Sequence, residues 1–308
     1  LEQATAADPN FAPAWAALAI AYQSILESYQ QGIDAARKAL ALDPNNVDAL
    51  NAMGAAMRQH RRWLEAEEQF DRALAADPNS AELLEDYAEF LLLVGRTQDA
   101  LAITTRGMDI DSRLVPLALA HTDALATNGQ AGEARQLAQE LAETDPTITL
   151  FLLPIMLNPA LQPSDVATMA PIENADDGLS WTADMVDHVN RVIEGSSDVE
   201  SIDALKSHYE PANIQSVTSD LAYYRILPAR IALVLAKELD YVIEQDIWWA
   251  KQLDLFPHEL NWTPLFAELR AHPRFGEYLD AAGIVAYWDA TEWTDWCQRD
   301  ADNRVICK

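Results

Sequence analysis

The chain has 308 residues, half of them hydrophobic, with 49 acidic against 21 basic side chains and a formal charge of -28. That charge repels nucleic-acid phosphates and anionic lipid headgroups, which argues against direct nucleic-acid binding. No apolar run reaches transmembrane length, so direct membrane insertion is not expected either. The same acidity would keep an extended surface soluble without any ligand, so charge alone names no partner.

In chain order, Leu1 to Pro9 reads as the closing helix of an earlier repeat, and the chain is therefore expected to be a piece of a larger protein. Asp8-Pro9-Asn10 is followed 35 residues later by Asp43-Pro44-Asn45, and that string returns after 34 residues as Asp77-Pro78-Asn79. Asp111-Ser112 keeps the Asp of the next slot without the Pro, and Asp145-Pro146 fills the one after. A period of 34 with helical patterning predicts stacked helix-turn-helix pairs, none of which buries its apolar face alone. Each Pro stands just past a second helix and stops it. Gly95 and Gly129 mark where a first helix ends and reverses, a position that favours left-handed backbone. Gly54, Ala88 and Ala19 are expected opposite Ala66, Ala100 and Gly32, so that paired helices approach closely.

Large and small residues recur at fixed offsets within each period. The second repeat reads Leu50, Met53-Gly54, Met57, Ala66, Phe70, Ala73 and Pro78. The third reads Leu84, Tyr87-Ala88, Leu91, Ala100 and Gly107, with Thr104 where an aromatic is expected. The fourth reads Ala118, His121-Thr122, Leu125, Ala134, Ala138 and Pro146. In the first, Trp15, Leu18-Ala19 and Tyr22 match, and one extra residue near Glu27 to Gln31 precedes Gly32, Ala36, Ala39 and Pro44. This pattern resembles the tetratricopeptide repeat. The resemblance implies an all-α fold, a right-handed superhelix or α-solenoid of antiparallel helix pairs, over residues 1–158.

After Asp145 the regularity fades. Phe151 to Met156 suggests one more helix, then Pro154, Pro159, Pro163, Pro171 and Asn174 to Gly178 suggest breaks and a loop within a linker of short helices at 159–219. A helix is expected from Ser180 through Val192-Ile193, closing at Gly195-Ser196-Ser197, and another at Ser201 to His208. Irregular repeat-like helical hairpins are expected over 220–282, from an apolar stripe at Tyr223 to Ile243 and a second at Asp246 to Leu253, interrupted or kinked around Pro228.

Residues 283–308 form a Trp-rich tail; six of nine Trp residues lie in the last sixty or so positions, from Trp248 to Trp296. They either anchor a partner or, more economically, close the last unit as a small core. Cys297 and Cys307 flank a polar turn, which suits a hairpin closed by a disulfide better than a zinc knuckle; two free thiols remain the alternative. His272-Pro273-Arg274-Phe275, Tyr278-Leu279, Tyr287-Trp288 and Thr294 to Cys297 resemble the C-terminal end of bacterial multidomain signalling proteins. In those, tetratricopeptide repeats follow a winged-helix regulator or nucleotide-cyclase domain, often through a TolB-like region. That resemblance implies a regulatory, partner-binding role in a bacterial cytoplasm or periplasm.

The six His residues show no metal or catalytic spacing, and neither a phosphate loop nor a nucleophile elbow is present, so no enzyme activity, cofactor or metal is expected. Asp187-His188 are helix neighbours that point apart and are read as surface decoration. His121 is expected to be a satisfied, partly buried imidazole.

The family's concave groove, carried over by position, falls on Asp48, Asn51, Ala55, Arg58 and Gln59, on Glu82, Glu85, Glu89, Leu92 and Leu93, and on Pro116, Leu119, Asp123, Ala126 and Thr127. Its carboxylates would repel an anionic tail, while a basic or mixed-polarity peptide or helix is favoured, with Leu92, Leu93 and Leu119 adding apolar contact. The expected function is a protein-interaction scaffold. A self-associating structural array and a small-ligand sensor are the alternatives.

Overall fold

A strand of alternating helix formers and turn residues every 34 positions has one economical solution, and the structure adopts it. The computed structural model describes residues 1–23, 29–144, 187–189, 191–192, 195, 198–210, 229–252 and 259–308. The segments expected at Phe151 to Met156, Pro159 to Pro171 and Asn174 to Gly178 lie outside the described residues. The described chain is mostly helical, and contacts divide it into Leu1–Ala124 and Leu125–Lys308.

The first unit opens with α1 (Glu2–Ala7), followed by the pairs α2 (Ala12–Gln23) with α3 (Tyr29–Leu42), α4 (Val47–Gln59) with α5 (Trp63–Ala76), and α6 (Ala81–Leu93) with α7 (Thr97–Ile110). Helix α8 (Val115–Thr127) begins the next pair. The pairs are joined by one repeated device. After each second helix an Asp carboxylate accepts the amide two residues on: Asp8 from Asn10 at 3.1 Å, Asp43 from Asn45 at 3.2 Å, Asp77 from Asn79 at 2.9 Å and Asp111 from Arg113 at 3.0 Å. This Asx turn explains why Asp111 preserves the phase although Pro is gone. Asn46 and Ser80 then cap α4 and α6 by accepting from Ala49 and Leu83. Arg72 on α5 donates to the Pro44 carbonyl at 3.0 Å, and Arg106 on α7 donates to the Pro78 carbonyl, tying each pair to the turn before it.

Gly95 and Gly129 take φ of 80° and 77°, as their spacing predicts. The equivalent residue one repeat earlier is Arg61, which is held at φ 53°. Ala19, Ala66, Ala88 and Ala100 are fully buried, but the room left by Gly54 is taken by Phe70, whose ring would lie 2.8–3.0 Å from an added Cβ. Phe70 stacks on Tyr87 at 5.4 Å and meets Phe90 at 5.7 Å. One repeat later the same pair of positions is Thr104 and His121, joined by a 2.9 Å hydrogen bond, so a polar pair replaces the aromatic one.

The second unit begins within α8 and contains α9 (Ala131–Thr144). Helical residues 187–189 and 191–192 confirm part of the helix expected from Ser180; its residues 180–186 lie outside those described. Asp187 pairs with Arg191 at 2.5 Å and His188 faces Ser201 at 3.1 Å, so the adjacent pair indeed points apart. Helix α10 (Val199–Tyr209) is capped by Asp198. The interruption expected around Pro228 lies outside the described residues; beyond it, helical residues 229–235 end in a turn with Lys237 at φ 64°, and α11 (Leu239–Gln252) then joins the two expected stripes by running through Ile243 to Asp246. Arg230, Asp246 and Tyr209 form a buried network that joins these segments, with Arg230 Nη2 2.6 Å from Asp246.

The Trp-rich end is a core. Two short 3-10 turns, Glu259–Trp262 and Pro264–Phe266, lead into α12 (Ala267–Arg270), α13 (Phe275–Ala281) and α14 (Ile284–Ala290). Trp262 and Trp288 are fully buried, 6.1 Å apart, with Phe275 edge-on to Trp262. The antiparallel hairpin of β1 (Cys297–Arg299) and β2 (Val305–Cys307) is closed by the Cys297–Cys307 disulfide. It lies so close to α13 that a Cβ on Gly276 would come within 2.8 Å of Val305. Arg270 is buried beneath it, donating to the carbonyls of Asn261, Thr263 and Lys308. Burial lowers that guanidinium to about 10.

Candidate functional site: an acidic cluster between the first helices of two pairs

Helices α4 and α6 are the first helices of successive pairs and touch each other. Side chains three, four or seven apart share a helix face, which aligns Asn51 with Arg58 on α4 and Glu85 and Asp86 with Glu89 on α6. Across the seam, Asn51 Nδ2 donates to Asp86 Oδ2 at 2.6 Å. Arg58 Nη1 donates to Glu89 Oε2, and Arg58 Nη2 lies 3.8 Å from Asp86 Oδ1. One oxygen from each of Glu85, Asp86 and Glu89 lies within 4.8 Å of the others. Asn51 is 8% exposed and its Oδ1 has no hydrogen-bond partner.

Three carboxyl groups thus share one guanidinium in a half-buried seam. Burial raises Glu85 most, the neighbouring Glu89 and Asp86 charges add to it, and Arg58 only partly opposes them, so its carboxyl is pushed up to about 10. Asp86 is raised to about 6, again chiefly by burial, with Arg58 and the Asn51 amide pulling the other way. Burial works against the Arg58 charge, yet Glu89 and Asp86 more than offset it and hold the guanidinium firmly protonated.

Of the residues expected to line the groove, the structure brings together Asn51, Arg58, Glu85 and Glu89. Asp48 and Glu82 are exposed in the first turns of α4 and α6, Gln59 is half-buried at the end of α4, and Leu119 and Asp123 are half-buried on α8. Leu92 is 2% exposed and belongs to the core, because the apolar stripe that carries Ala88 is still covered one turn further on. Asp86 was not singled out by its sequence position. Comparing residues 34 apart pairs Asn51 with Glu85, whereas the contact across the seam is the diagonal one, 35 apart. An open cleft of about 540 Å³, which none of the cluster residues lines, lies between successive turns, lined by Asp77, Ser80, Glu82, Asp109, Asp111 and Arg113.

The helix pairs, their Asx turns and their small-residue seams coincide with a family match: residues 35–68 and 70–102 fit the model of the tetratricopeptide repeat. These segments are tetratricopeptide repeats. The matched segments contain α4 and α6 whole, α5 but for Gln69, and parts of α3 and α7, so the acidic cluster sits on them. No match to the chain is found among curated proteins. Among solved structures, the chain is similar to pilF of Pseudomonas aeruginosa, at 15% identity over 74% of this chain and 96% of that one, with a TM-score of 0.45. It is also similar to YrrB, described as a tetratricopeptide repeat protein with an unusual peptide-binding site, at 16% identity over 77% and 97%, with a TM-score of 0.41. PilW, described as a type IV pilus biogenesis factor, matches at 15% identity over 84% and 97%, with a TM-score of 0.42. Among the described residues no helix is long and apolar enough to cross a membrane.

Proposed function

We propose that this chain is a non-catalytic interaction scaffold that docks a basic or mixed-polarity protein segment against α4 and α6 and, as part of a larger bacterial signalling protein, relays its presence to an effector domain. The supporting observation is the charge excess of the groove: Glu85, Asp86 and Glu89 face a single guanidinium, and Asp48 and Glu82 extend the acidic surface toward the helix N-termini. A cationic segment is attracted and an acidic one repelled, which sets specificity and association rate more than affinity. The disulfide that closes the C-terminal hairpin favours an oxidising compartment such as a periplasm.

The test is affinity capture from source-cell extract with mass spectrometry, comparing the chain with a Glu85→Lys/Glu89→Lys variant of equal helicity by circular dichroism. A partner with a basic segment captured by the first and lost by the second is the expected result. Equal capture by both would refute docking at this seam.

A further inference from the structure

The pairing of Arg58 leaves two features of the seam unexplained: an excess of two carboxylates, and a buried Asn51 carboxamide whose oxygen has no partner although its nitrogen touches the cluster. We infer that α4 and α6 build a site for a hard divalent cation, with Glu85, Asp86 and Glu89 as carboxylate ligands and the Asn51 carboxamide oxygen as a neutral fourth. The inference goes beyond the docking proposal and stands if that proposal fails.

Three observations on independent grounds converge on it. The carboxylate oxygens already lie within 4.8 Å of one another, a spacing that a single ion with oxygen ligands at about 2.3–2.6 Å closes with small rotations. Oxygen-only donors from carboxylates and a carboxamide select calcium, magnesium or manganese over zinc or copper. The Asn51 side chain is more than nine-tenths buried against Asp86, and a half-turn of its amide exchanges nitrogen for oxygen, turning the orphan acceptor toward the ion. The charge then closes as well: three carboxylates and Arg58 leave an excess of two negative charges, which one divalent ion cancels.

Arg58 stays at the edge of such a site, as the counter-charge for the third carboxylate. A bound ion removes the charge that a basic segment would seek. Cation binding and docking at this seam are antagonistic.

The experiment is isothermal titration of calcium chloride into the full chain, stripped with EDTA and dialysed. The expected result is one saturable site, weakened about tenfold or more in Glu85→Gln and in Asn51→Leu. Asp109→Asn, an acidic change at the open cleft away from the seam, leaves the affinity unchanged. Circular dichroism establishes that each variant keeps its helicity, and Glu89→Gln replaces any that does not. Absence of saturable heat with calcium, or equal affinity in wild type, Glu85→Gln and Glu89→Gln, overturns the site and reduces calcium to diffuse attraction by an acidic surface.

Discussion

Replacing Gly54 by Ala tests whether the seam between α4 and α5 is set by Phe70. In an open helix the change would stabilise by about 1 kcal/mol, because Gly is the poorer helix former. Here the new methyl would sit 2.8, 2.9 and 3.0 Å from three atoms of the Phe70 ring. That ring is fully buried and hemmed in by Tyr87 and Phe90, so it has nowhere to move. Overpacking of this kind costs about 1–3 kcal/mol. The net effect expected for Gly54→Ala is a destabilisation of about 1 kcal/mol. In a Phe70→Leu background the clash disappears and the propensity remains, so the same substitution should stabilise by about 1 kcal/mol. Urea unfolding of the four proteins, followed by far-UV circular dichroism with the disulfide intact, gives the cycle, and the coupling should be about 2 kcal/mol. Gly54→Ala raising the midpoint with Phe70 in place, or acting equally in both backgrounds, would refute the packing argument.

Arg61→Gly removes a non-glycine from φ 53°, where the neighbouring repeats use glycine, and should raise stability by about 0.5–1 kcal/mol, whereas Arg61→Ala should give no such gain in thermal melts. Glu85 keeps its proton in the fold up to about pH 10 and releases it near its ordinary 4.5 in the unfolded chain, so the native state binds more protons across that range and stability falls as pH rises through it. Glu85→Gln in EDTA should therefore melt higher than wild type at pH 9 and close to it at pH 4; an identical pH slope in both proteins would contradict the burial argument.

The repeat architecture was legible because its signals are local and periodic. Asp43, Asp77 and Asp111 each build a turn from their own side chain, and Gly95 and Gly129 mark left-handed positions that composition reveals. Arg61 and Lys237 adopt the same backbone region without glycine, so the chain carries no local sign of those turns. The Trp-rich end was readable as a small core because Trp262, Phe275 and Trp288 cannot all face water within so short a stretch. The acidic cluster was only half legible. Glu85 and Glu89 follow from groove positions, but Asp86 and its contact with Asn51 arise from how α4 leans on α6, which no one-dimensional offset encodes.

The arginine ties bear on how the array comes apart. In a linear stack each pair interacts with its neighbours, and bonds that cross from one pair to the next decide whether pairs melt together or one by one. Arg72 and Arg106 reach across two successive junctions to the carbonyls of Pro44 and Pro78. The equivalent residue one period later is Glu140, which lacks the guanidinium that makes these ties. Cooperativity carried by these ties thus spans the three leading pairs, so that α2 through α7 share one transition.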